Sequence, residues 1–102
     1  MRAIRKRPGE APEIVDVENT LEALQAEVGG RIESLRFAAD ATILCNEEGK
    51  LMKLAPNIHF MGDILCGTIL VVGVRGEDFN SLTMRNTLIL RELLENERLW
   101  RN

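Results

Sequence analysis

The apolar run Ile69-Leu70-Val71-Val72-Gly73-Val74, fenced by Gly67 and Gly76, dominates the hydrophobic pattern of the chain. Its β-branched content and short length favour a strand over a helix. The run does not alternate apolar with polar, so both of its faces must be covered, which predicts a central strand with a layer on each side or a folded-over edge. Gly73 has no side chain to pack and marks a bulge, a close packing contact or a ligand's approach to the backbone.

The rest of the chain is read outward from this strand. Residues 2–7 form a short strand, and Pro8-Gly9-Glu10-Ala11-Pro12 has the composition of a turn into a return strand over 13–18. Arg2, Arg5, Lys6 and Arg7 then face Glu13, Asp16 and Glu18, so cross-strand charge pairing accounts for both clusters. Asn19 is positioned to cap a short helix with Glu22 reaching back to its free amides. Leu21, Leu24 and Val28 share one face of that helix, and Gly29-Gly30 can stop it in the left-handed conformation. Alternation over 32–37 and the apolar stretch over 41–45 predict two more strands.

Asn46-Glu47-Glu48-Gly49 is a turn, with Asn46 able to bond its own backbone. Residues 58–65 read as a loop or one helical turn before the central strand, and 75–80 as a polar loop after it. Ser81 or Thr83 caps a final helix running to about Leu99, where Leu82, Leu88, Ile89, Leu90, Leu93 and Leu94 make a wide apolar face. Arg85, Arg91, Glu92, Glu95 and Arg98 decorate its other side. The pattern predicts one α+β domain over residues 1–102, in the order β-β-α-β-β-β-α. Its sheet is mixed or antiparallel, with about five strands and two helices.

With 45% hydrophobic and 28% charged residues, the composition is that of an ordinary globular domain. A net charge of -3 offers no global field for nucleic acid, so any phosphate binding must be local. Cys45 and Cys66 match no metal-ligand spacing and read as buried free thiols, which fits a reducing cytoplasmic compartment; a bridge between them stays open. The longest apolar stretch, 64–74, is far short of a bilayer span, so no membrane association is expected.

Candidate chemistry is sparse. One histidine, no tyrosine, no P-loop, no GxSxG and no zinc pattern argue against most enzyme classes, and neither catalytic residues, metal ligands nor a cofactor are expected. The acidic turns Glu47-Glu48 and Glu77-Asp78 leave a metal-dependent nucleotide hydrolase as an alternative, provided that the two turns meet in space. His59, between Ile58 and Phe60, reads as a packed structural residue, whereas Asn57 after Pro56 is the better binding candidate because a loop amide both donates and accepts.

If the turn after 41–45 and the loop after 69–74 share one end of the sheet, Asn46, Lys50, Arg75 and Phe79 supply an amide, two cations and a stacking face. That is the chemistry of a nucleotide site. Parallel strands would bring them together and antiparallel strands would separate them. The plain alternative is that Gly49 and Gly76 make turns and the charges stay in water.

Asn19-Thr20-Leu21-Glu22-Ala23-Leu24-Gln25, Val28-Gly29-Gly30, Cys45-Asn46-Glu47-Glu48-Gly49-Lys50-Leu51, Leu54-Ala55-Pro56-Asn57, Gly67-Thr68 and Gly76-Glu77-Asp78-Phe79, in this order, resemble a known family. It is the domain of unknown function family 3846 of bacteriophages and bacterial mobile elements. The resemblance covers nearly the whole chain and implies no enzymatic activity. What it implies is a small accessory protein that counters a host defence system, by binding a defence protein or a small nucleotide signal. Where similar sequences carry a basic residue after the Pro-Asn pair, this chain has Ile58 and His59. A protein-interaction module that forms homo-oligomers through the last helix is the further alternative, because its apolar face is wider than one small domain covers. The order hairpin, helix, strand also resembles a β-grasp opening, from which no function follows.

Overall fold

A computed structural model describes residues 1–97 of the chain. Its elements are β1 (Arg2–Lys6), β2 (Glu13–Asp16), α1 (Leu21–Val28), β3 (Ile32–Ala38), β4 (Ala41–Asn46), β5 (Pro56–Phe60), β6 (Asp63–Cys66), β7 (Ile69–Arg75), β8 (Asp78–Asn80) and α2 (Met84–Glu95). The main sheet has the order β2-β1-β7-β4-β3, with β8 also pairing to β7, and β5-β6 forms a separate hairpin. Every described pairing is antiparallel. The α+β class with two helices is therefore as the sequence predicts.

The central position of β7 follows from its composition. β1 pairs with it through Ile4↔Val71 and β4 through Ile43↔Val71, so β7 has a neighbour on each edge. Residues Ile69 to Val72 of the strand are at most 2% exposed, because both of its faces are covered. On one face Leu70 and Val72 join Ala3, Leu44, Val17 and the α1 residues Leu24 and Val28. On the other, Ile69 and Val71 join Ile4, Ile43, Ile58, Leu65 and Leu82, with Leu90 and Leu94 of α2 packed against them. The layers are α1, the main sheet, and a third formed by α2 and the β5–β6 hairpin.

Gly73 is required by the chain's own path. A Cβ there would lie 2.5 Å from the carbonyl oxygen of Ser81 and 2.6 Å from Oδ1 of Asn80. β8 pairs with β7 at Gly73, where β4 already holds the opposite edge, so β8 takes up the edge that β1 leaves. Arg2 completes the junction: its N–H donates to Ser81 Oγ at 2.8 Å, and its carbonyl accepts from Leu82 N at 2.9 Å.

Three expectations about local structure are corrected. The α1 cap is Thr20, whose Oγ1 accepts from Ala23 N at 3.2 Å, while the side chain of Asn19 donates to the carbonyl of Phe79 at 2.8 Å. Residues 58–65 are neither loop nor helical turn but most of the β5–β6 hairpin, and the polar loop after β7 contains β8. These three strands raise the total above the expected five and change the order accordingly. Gly29 does stop α1 in the left-handed conformation, with φ 79°. Thr83 caps α2 by accepting from Asn86 N at 3.0 Å, and the helix is described as far as Glu95. Its predicted end near Leu99, with Arg98, lies outside the described residues.

The expected charge pairing across the β1–β2 hairpin forms at Glu13, whereas Arg2 donates to the Leu82 carbonyl and Asp16 pairs with the N-terminal ammonium. Arg5 sits opposite Glu13 and bonds it at 3.3 Å, and Arg7 reaches the same carboxylate at 2.6 Å. Arg5 also grips Glu27 of α1 in a bidentate pair, at 2.7 and 2.6 Å. This pair raises the Arg5 pKa and holds the Glu27 carboxyl below its ordinary value. Lys6 takes another course: its ammonium is buried and donates to the Arg7 carbonyl and to Oδ1 of Asn57.

Candidate functional site

Because β4 and β7 run antiparallel, the turns that follow them lie at opposite ends of the sheet. Asn46 and Lys50 are thus separated from Arg75 and Phe79, and the four do not enclose one ligand. The same geometry parts Glu47 and Glu48 from Glu77 and Asp78. Among the described residues, no group of three or more His, Cys, Asp or Glu side chains is placed to hold a metal ion.

Asn46 and Lys50 share a cleft of about 150 Å³, lined also by Glu33, Glu47, Glu48, Asp63 and both cysteines. Asn46 is buried and makes the turn: its Oδ1 accepts from Glu48 N at 2.8 Å and its Nδ2 donates to the Val28 carbonyl at 3.2 Å. Lys50 is exposed and paired with Asp63, a contact that raises the lysine pKa and lowers that of the aspartate. Cys45 faces Glu33, with Sγ 3.8 Å from Oε1, and burial, then this carboxylate, pushes its thiol pKa up to about 11. Both cysteines are free thiols, Cys45 buried and Cys66 half-buried. Four carboxylates beside one paired lysine give this cleft a negative field, which repels a phosphate.

Asn57 has no exposed surface. Its Nδ2 donates to the carbonyls of Lys6 at 2.7 Å and Gly67 at 2.8 Å, and its Oδ1 accepts from the Lys6 ammonium at 3.0 Å. These bonds fasten β5 to the end of β1 and to the turn before β7. Arg75 is exposed on the hairpin turn of β7 and β8, while Phe79 is half-buried and packs on the α1-side core.

A second cavity, of about 240 Å³, opens between the β5–β6 hairpin and α2. Phe37, Ile43, Ile58, Phe60, Val71 and Leu90 are among its walls. Phe37 and Phe60 meet edge to face, with ring centroids 6.3 Å apart. At its rim His59 is exposed rather than packed: its Nδ1 lies 3.0 Å from Glu97 Oε1, and its backbone N–H donates to Oε2 at 3.2 Å. This clip ties β5 to the chain just beyond α2. The groove exists because neither covering element is broad enough to close the sheet face alone.

Sequence reasoning missed this groove, since one of its walls is β5, in a segment that it read as a loop or one helical turn. One signal was present. Leu88, Ile89 and Leu90 are consecutive on a helix, where each residue turns about 100° from the last, so they cannot all face one core. In the structure Leu90 turns inward, while Leu88 and Ile89 are 50% and 46% exposed.

The family model described as a domain of unknown function (DUF3846) matches residues 1–95 of the chain. No curated protein and no solved structure matches it.

Proposed function

We propose that this chain, which belongs to the DUF3846 family, is a phage or mobile-element accessory protein that counters a bacterial defence system by binding a host protein rather than by catalysis. The observation that carries the binding reading is the apolar groove between the β5–β6 hairpin and α2, whose aromatic walls match a partner's apolar side chain. The genomic setting implied by the family resemblance supplies the biological context. A small nucleotide signal is the less supported ligand: the cation and the aromatic ring beyond β7 stand apart from Lys50, and Lys50 stands among carboxylates.

The test is expression in bacterial hosts carrying different defence systems, with phage plating as the readout. Rescue of plating against at least one system is expected. It should be lost in Phe60→Arg, which puts a charge at the groove while the far side of the sheet is untouched. Absence of rescue against every system tried would overturn the reading. Rescue that survives Phe60→Arg but not Arg75→Ala would move the site to the β7–β8 turn.

A further inference from the structure

The outer surface of α2 carries Met84, Leu88, Ile89 and Leu93, which are 55%, 50%, 46% and 62% exposed. The inward residues Thr87, Leu90 and Leu94 lie on the opposite side of the helix, so the predicted wide apolar face is two faces. Among the described residues only one of them has a partner. Arg85 and Glu92 lie on the outer face as well, and among the described residues neither side chain has an ion-pair partner. Two turns of helix separate them, about 10 Å along the axis, too far for them to pair with each other.

The spacing of these six residues is symmetrical about the midpoint between Leu88 and Ile89. Reversing the helix about that point exchanges Met84 with Leu93, Arg85 with Glu92, and Leu88 with Ile89. We infer that α2 is a self-association surface, on which two copies of the chain pair their last helices antiparallel about a two-fold axis. Leu88 of each copy then meets Ile89 of the other at the centre, as an isologous contact requires. Arg85 of each meets Glu92 of the other at both flanks, and Met84 and Leu93 close the ends. A parallel pairing would set arginine against arginine and glutamate against glutamate, so charge alone selects the antiparallel arrangement.

This surface is distinct from the groove, which lies on the hairpin side of the same helix, although Leu93 borders both. A helix of this length is about 18 Å long, and a pair of them buries less than the roughly 800 Å² per partner of a standard interface. The dimer is accordingly a weak one, with dissociation on the order of micromolar.

Sedimentation velocity of the full chain over a range of concentrations tests the inference. A monomer–dimer equilibrium weakened by salt is expected. Arg85→Glu alone and Glu92→Arg alone should each weaken it by about tenfold or more, since each sets like charges together at both flanks. The double exchange, Arg85→Glu with Glu92→Arg, should restore it. All three changes are on exposed side chains, and circular dichroism verifies that the fold is kept. A monomer at every concentration, or a folded double variant that fails to recover association, overturns the proposal.

Discussion

The two faces of the main sheet are covered in different ways. On one side α1 is the one helix over the core, with Leu24 and Val28 only 3% exposed against Leu44, Leu70 and Val72, which have no exposed surface, and Val17 and Phe79 fill in beside it. The Arg5–Glu27 pair locks that helix to β1. On the other side the cover is shared between the β5–β6 hairpin and α2, and a groove of about 240 Å³ remains where they fail to meet. A single helix with two inward residues seals the strip of sheet beneath it, and the clefts on its side, of about 330 and 290 Å³, lie along its edge against Arg7, Pro8, Leu54 and Thr68. Two elements set at different orientations leave a gap, and the gap is where a partner has something to fill.

The comparison can be broken most severely on the closed side. Leu44→Ala empties a site with no exposed surface and should destabilise the fold by about 3 kcal/mol in urea unfolding. A loss below about 1 kcal/mol would mean that this face is not close-packed. Next in size is Asn57→Ala, which leaves the carbonyls of Lys6 and Gly67 without their amide donor and should cost about 2 kcal/mol. Hydrogen exchange should then speed up in the β5–β6 hairpin before it does in β7. Uniform acceleration would show that the hairpin does not open separately from the sheet.

Phe60→Ala removes a half-buried ring from the groove wall and should cost only about 1 kcal/mol, well below the cost of Leu44→Ala. Equal losses would erase the distinction between the two faces. The smallest effect concerns acid. Arg5 lowers the Glu27 pKa in the folded protein, so the stabilisation is present above the ordinary carboxylate range and is lost as pH falls through the lowered folded value. Glu27→Gln should cost under about 1 kcal/mol at neutral pH and flatten the stability profile below pH 4.5, the ordinary value. An unchanged acid slope would remove this pair from the account of the closed face.

What was legible in the chain divides along the same line. β7 announced itself, because a strand buried on both faces needs an unbroken apolar run. α1 was placed to within one residue, and the error arose because Asn19 and Thr20 are both good caps while only the geometry of the entering chain decides between them. The β5–β6 hairpin left no such mark. Its two-residue turn is Met61-Gly62, with φ of 49° and 81°, a conformation that usually advertises itself with asparagine or aspartate at the first position. Gly76-Glu77 makes the corresponding turn between β7 and β8, with the positive φ at its first residue. The glycine was visible there, but a three-residue strand is too short to show a period. Asn57 read as a binding residue because the sequence placed it in a loop, where a side-chain amide can both donate and accept. Its burial depends on β1, which is remote in the chain, and no local pattern records that.

The pairing of β1 with β7 also governs when this protein can fold. Ile4 finds its partner in Val71, so β1 must wait for a strand made much later. Until β7 leaves the ribosome, the β1–β2 and β3–β4 hairpins are two fragments with no strand in common, each presenting an unpaired apolar edge. Such long-range closure makes folding slow compared with helical proteins of this size. The nascent chain therefore depends on β1 being kept from other sheet edges until β7 is made.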